Sequence, residues 1–190
     1  MTKIDVINRA LFKLGEPMIT SLNGMAKSYE TIFEDVKSLL LSAYPWRFAV
    51  TRQSMPKYEE RFGTKVMYRL PNDCLLLLHV FGMTDERKPP VQGYEVADNC
   101  IVTSVKNGVT VEYVRNIEEI EKMSPLFKEA MAAKIAAELV MRIKHTLSLK
   151  QMLDDEFFYL IRQAELNNEI IKDAELMPEN SWVLIREVWD

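Results

Sequence analysis

Six glycines and two cysteines are spread over 190 residues, and each scarcity closes off a class of function. There is no G-x-x-x-x-G-K-[ST] phosphate loop and no G-x-G-x-x-G turn following a strand. H-E-x-x-H and G-x-S-x-G are missing too, so neither a metallopeptidase helix nor a nucleophile elbow can be placed. Cys74 and Cys100 form no C-x-x-C pair, and in a non-secreted chain they read as two reduced, buried thiols. His79 and His145 are the only histidines. His79 lies within the apolar run 74–81 and reads as a strand residue, not a ligand. A zinc site needs about four ligands at suitable spacing, and no short-range cluster supplies them. Carboxylate pairs such as Asp154–Asp155 and Glu118–Glu119 fall on polar stretches without a partner base. The expectation is a chain with no enzymatic activity, no cofactor and no metal.

Long apolar runs and basic excess are lacking as well. No segment approaches the roughly 18 apolar residues of a membrane span. Residues 1–8 lack the apolar core of a signal peptide, so the chain is expected to be soluble and intracellular when made. The net charge of −4 argues against a dedicated DNA-binding module, which carries a basic stripe for the phosphates. It leaves room for a protein that surrounds DNA without gripping it. At 48% hydrophobic and 27% charged, the composition is that of an ordinary globular domain, with or without an insertion.

What is present falls into three sections. Residues 1–46 read as helical. Ile4, Ile7, Leu11 and Leu14 recur at helical spacing, Gly15 suits the left-handed position beyond a helix end, and Pro17 cannot continue the helix. Tyr29, Ile32, Val36, Leu39 or Leu40, and Ala43 repeat the pattern, and Pro45 biases Tyr44 out of it. Residues 47–120 read as β-rich. Residues 70–73 (LPND) signal a turn, the apolar run 74–81 a strand, and residues 85–90 an exposed loop. Asn107-Gly108, flanked by residues 102–106 and 109–114, predicts a two-residue type I′ hairpin. Its register would set Ser104 opposite Val111 and Val102 opposite Tyr113. Val102, Val109, Val111 and Tyr113 would then share one buried face.

Residues 124–176 read as helical again. Ser124 is a good N-cap, Pro125 fits the first helical position, and the residues after it are apolar nearly all round. A second N-terminus is predicted at Ser148, with Gln151 completing a capping box and Leu147 and Met152 forming a staple. The helix that follows puts Leu153, Phe157, Leu160, Ile161, Ala164, Ile171 and Ala174 on one side. The other side is acidic, with Asp154, Asp155, Glu165 and Glu169 prominent, and reads either as a solvated face or as the lining of an acidic channel. Residues 177–190 form a C-terminal arm carrying Trp182, Leu184, Ile185 and Trp189. Such an arm must dock on its own body or a neighbouring subunit, or be captured by a partner. The fold class expected is α+β, mainly α: a bundle of about four helices (1–46 and 124–176) with a β-rich insertion (47–120) containing a hairpin.

Four stretches resemble the tail tubular protein A family, the head-to-tail adaptors of short-tailed bacteriophages. They are residues 7–22 (INRALFKLGEPMITSL), 44–49 (YPWRFA), 68–74 (YRLPNDC) and 124–137 (SPLFKEAMAAKIAA). The first two, at this separation, are the more specific. The resemblance implies twelve subunits in a ring beneath the portal protein, a channel through which DNA passes without specific binding, and a platform for the tail nozzle protein. It implies a virion protein, made in the host cytoplasm. The chain is near the short end for that family, so loops contacting the nozzle would differ or be reduced. In that setting Trp182, Leu184, Ile185 and Trp189 are candidate portal or subunit contacts, and Asp154, Asp155, Glu165 and Glu169 candidate channel-facing acids. A non-enzymatic interaction or scaffolding module of a mobile element is the alternative, and oligomeric state separates the two.

Overall fold

The computed structural model describes residues 1–61, 65–82, 90–91 and 93–176, with backbone alone for 25, 59–61 and 171–176. The fold is α+β, with four α-helices and two antiparallel sheets among the described residues. It divides into two compact units: Met1–Phe33 together with the residues from Ser124 onward, and Glu34–Met123. The division falls inside a helix, so the second half of that helix goes with the strands. The sequence reading had kept all of 1–46 with the helices.

The helical unit is built on α1 (Lys3–Lys13), α3 (Pro125–Ile143) and α4 (Leu147–Leu176), with α3 packed against the other two. α1 starts in a capping box: Asp5 N–H donates to the Thr2 hydroxyl, and the Asp5 carboxylate accepts from Thr2 N–H at 2.7 Å. It ends at Gly15, whose φ of +67° lets Gly15 N–H reach Phe12 O and Glu16 N–H reach Leu11 O. That pair of bonds is a Schellman motif, which satisfies carbonyls the helix end would otherwise orphan. The following turn is held by Asn8, whose side-chain amide bonds both backbone groups of Ile19 at 2.8 and 2.9 Å. α3 begins as its sequence predicts, with Phe127 N–H donating to the Ser124 hydroxyl and Pro125 in the first turn. It is buried on nearly every side.

The start of α4 differs from expectation. The helix begins at Leu147, so Ser148 lies inside its first turn and caps nothing. Leu147 and Met152 are both exposed and make no staple. The chain enters α4 through His145, which terminates α3 at φ +53° with its N–H on Val140 O. That left-handed residue sets the path, and the predicted box has no place in it.

α2 (Lys27–Ala43) stops just before Tyr44-Pro45, as the proline dictates. Its buried stripe runs through Phe33, Val36, Leu40 and Leu41, while Leu39 is exposed. In the strand unit β1 (Val50–Met55), β7 (Val109–Arg115) and β4 (Cys74–Gly82) form one sheet in the order β1-β7-β4. The second sheet has the order β2-β3-β6-β5, from β2 (Lys57–Arg61), β3 (Lys65–Arg69), β5 (Glu95–Ala97) and β6 (Cys100–Thr103). Both sheets contribute to one core, with Val66, Tyr68 and Ile101 from the second meeting Val80, Val109, Val111 and Tyr113 from the first.

The hairpin predicted at Asn107-Gly108 does not form. β6 pairs with β3 and β5, and β7 pairs with β1 and β4, so the two strands belong to different sheets. Val102 consequently packs with Met67 and Cys100, away from the face of Val109, Val111 and Tyr113. Each strand gains two neighbours, where the local hairpin would give it one. The two-residue turn with positive φ at both positions lies instead at Asp98 (+50°) and Asn99 (+57°), joining paired Ala97 and Cys100. Residues 104–108 cross between sheets, and the Tyr68 hydroxyl pins them. It donates to Val105 O at 2.7 Å and accepts from Gly108 N–H at 3.1 Å. The turn predicted at 70–73 is present, with Cys74 N–H donating to Pro71 O. Of the loop predicted at 85–90, residues 85–89 lie outside the described residues.

Candidate assembly surfaces

The residues that an enzyme reading would need are not brought together. Cys74 and His79 stand five positions apart on β4, which places them about 16 Å apart at about 3.3 Å per residue. The Cys74 thiol is held above its ordinary range, first by burial and then by the Asp73 carboxylate. A nucleophilic thiol needs the opposite shift. His79 is exposed, its Nε2 4.0 Å from the Glu112 carboxylate. Cys74 and Cys100 are free, in different sheets. Among the described residues no group of three His, Cys, Asp or Glu side chains is placed to hold a metal ion. Nor is any described helix long and apolar enough to cross a membrane.

Surface chemistry in the helical unit is more informative. Lys13, only 11% exposed in its side chain, reaches Glu129 of α3 at 3.0 Å and Glu156 of α4 at 2.6 Å. Arg9 joins from α1 with a two-oxygen contact to Glu129. Burial pushes the Glu129 carboxyl up, but hydrogen bonds from Lys13 and Arg9 outweigh it and hold the group below its ordinary range. This network ties all three helices at one end.

Two apolar regions of the helical unit are exposed among the described residues. One is an open groove of about 330 Å³ lined by Met1, Asp5, Asn8, Arg9, Phe12 and Met18. Phe12 and Met18 are largely exposed, and the Arg9 guanidinium sits 5.7 Å from the Phe12 ring centre. The other is the outer side of α4. Leu153, Phe157, Ala164 and Asn168 are its buried residues, while Met152, Tyr159, Leu166 and Ile170 are all more than half exposed. At 100° per residue these four fall within about 40° of one another, forming a stripe that faces away from the unit's interior.

Sequence reasoning described that side of α4 only as acidic. Of its four candidate acids, Asp154 turns toward α3, pairing with Lys150 and standing 3.8 Å from Lys134. Glu165 and Glu169 are half-buried, and Asp155 alone is exposed. The apolar stripe was overlooked although the seven-residue spacing of Met152, Tyr159 and Leu166 is visible in the sequence. Trp182, Leu184, Ile185 and Trp189 lie outside the described residues. Compared with family models and with characterised proteins, the sequence matches none of them.

Proposed function

We propose that this chain is a structural adaptor of the tail tubular protein A kind, forming a ring between a phage portal and a tail nozzle. The observation that carries the reading is the pair of exposed apolar regions on the helical unit, the α1 groove and the α4 stripe. A subunit of a closed ring touches a neighbour on each side through two different surfaces. The stretches that resemble the family are also among the most firmly fixed. Residues 7–22 hold the Schellman turn and the Asn8–Ile19 bonds, and residues 44–49 hold buried Trp46, whose Nε1–H donates to Leu40 O at 2.8 Å. Portal and nozzle proteins are the proposed partners, with the virion as the destination. Acidic side chains such as Glu165 and Glu169 would let DNA slide past a channel wall, because they offer no counterion release on contact. Trp182, Leu184, Ile185 and Trp189 are proposed contacts to a neighbour or the portal.

Electron microscopy of the purified protein mixed with a cognate portal tests the reading. A closed ring of high order on the portal is expected. A chain that stays monomeric or dimeric beside the portal would support the interaction-module alternative instead. Deleting residues 179–190 should lower portal or ring binding while leaving helical content unchanged by circular dichroism.

A further inference from the structure

The α4 stripe is flanked by charge as well as built from apolar side chains. Asp155 and Arg162 lie on the same edge of it, one heptad apart, and neither has an ion-pair partner among the described residues. Every other charged residue between Lys150 and Glu156 except Asp155 is engaged within the unit: Lys150 with Asp154, and Glu156 with Lys13. The midpoint between Met152 and Leu166 is Tyr159, and the midpoint between Asp155 and Arg162 falls half a residue before it. A surface with that property is complementary to itself when reversed.

We infer that, in the absence of partners, two copies of this chain associate through antiparallel α4 helices about a two-fold axis at Tyr159. Reversal sets Met152 against Leu166 of the second copy twice and Tyr159 beside its counterpart. It also sets Asp155 against Arg162 twice on one flank. A two-fold contact must be self-complementary in this manner, because each residue meets the mate of its own mate. From Met152 to Ile170 the stripe is about 27 Å long and roughly one helix diameter, about 10 Å, across. That is less than the roughly 800 Å² per partner of a standard interface, so the pair is weak and concentration-dependent. It covers the stripe from Met152 to Leu166, so the pair has to open before that stripe can serve any other contact.

Sedimentation of the full chain across concentrations from about 1 μM to 1 mM reads the association directly. A monomer–dimer equilibrium is expected within that range. Asp155→Arg and Arg162→Asp should each weaken it at least tenfold, because each puts like charges together at both contacts. The double variant D155R/R162D exchanges the charges and should restore it. A Tyr159→Cys chain should form a disulfide joining residue 159 of one copy to residue 159 of the other, located by peptide mass mapping. A monomer at every concentration overturns the proposal, as does an unchanged equilibrium in both single variants or a double variant that stays dissociated. A monomer whose Tyr159 is shielded by residues 177–190 overturns it too, and makes that segment the occupant. The inference is independent of the adaptor reading, since a ring formed with portal and a two-fold pair formed without it are separate measurements.

Discussion

The two units solve the same problem, fixing a backbone, with opposite placements of polar and apolar groups. In the strand unit the polar anchors point inward: Tyr68 bonds the crossover, and the Tyr113 hydroxyl donates between Gln53 at 3.0 Å and Asp73 at 3.2 Å. Both tyrosines are at most 2% exposed. In the helical unit the anchors sit at the rim, in the Arg9–Glu129–Lys13–Glu156 network. Exposed large apolar side chains divide in the same way. Among the described residues only Leu39, Tyr58 and Val96 belong to the strand unit, and all others to the helical one. The strand unit closes on itself. The helical unit exposes more large apolar side chains.

The largest effect is expected at Trp46, a buried side chain of the Glu34–Met123 unit. Trp46 is 1% exposed, stacked on Phe48 with ring centres 5.9 Å apart, and bonded to Leu40 O. Trp46→Ala should cost about 3–5 kcal/mol in denaturant unfolding, the range for large aromatic deletions from cores. A loss under 1 kcal/mol would mean that the site collapses around the gap and is no anchor.

Alkali should act on the same unit next. The Tyr113 hydroxyl is pushed up to about 12, first by burial and then by the Asp73 charge and hydrogen bond. The unfolded chain titrates near 10, so between those values the folded state holds a proton that the unfolded state has lost. Stability from this group is complete below pH 10 and declines as pH rises toward 12, by on the order of 2 kcal/mol. Tyr113→Phe should flatten that decline, and urea melts at pH 7, 10 and 11.5 would show it. Tyr68→Phe should cost about 1–2 kcal/mol at neutral pH, because it leaves Val105 O and Gly108 N–H without their partner.

How far the sequence revealed each unit follows from the range of the forces involved. Gly15, Pro45, Ser124 and Pro125 act within a turn of their own positions, and the helix ends stand where those residues place them. Asn107-Gly108 also carries a local preference, but strand pairing is decided by partners far away in sequence. β7 lies between β1 and β4, some 30 to 60 residues distant, and that pairing overrode the turn. Asp98-Asn99 took the two positive φ values instead, which a weaker Asp/Asn signal permits. The start of α4 was misplaced because His145 in the left-handed region is not a position that sequence marks. Surface character was partly legible. The acids of α4 were seen, but a stripe with seven-residue spacing went unnoticed among them.

Effects at the helical rim should be smaller. Glu129→Gln removes the carboxylate that Lys13 and Arg9 share, and about 1 kcal/mol of stability at pH 7 should go with it. Because the folded carboxyl is held below 4.5, its contribution is complete above that value and lost as pH falls through the lowered one. The variant should therefore approach the parent protein in acid, and thermal melts in a series of decreasing pH from 7 would test the convergence.

The smallest effect is the sharpest test of the contrast between the units. Leu166 is 52% exposed on the outer side of α4, and glutamine is as good a helix former as leucine. If the stripe contributes nothing to the unit's own interior, Leu166→Gln should change unfolding free energy by no more than about 0.5 kcal/mol. Val80, fully buried in the strand core, offers the reference. Val80→Gln puts an amide among Val66, Ile101 and Val111 without a partner, at a cost of several times that amount. Denaturant unfolding of the two variants, run dilute so that association does not contribute, separates the cases. A Leu166 variant as damaged as the Val80 variant would show that the α4 side chain is needed within the fold, and the stripe would no longer count as surface held for another molecule.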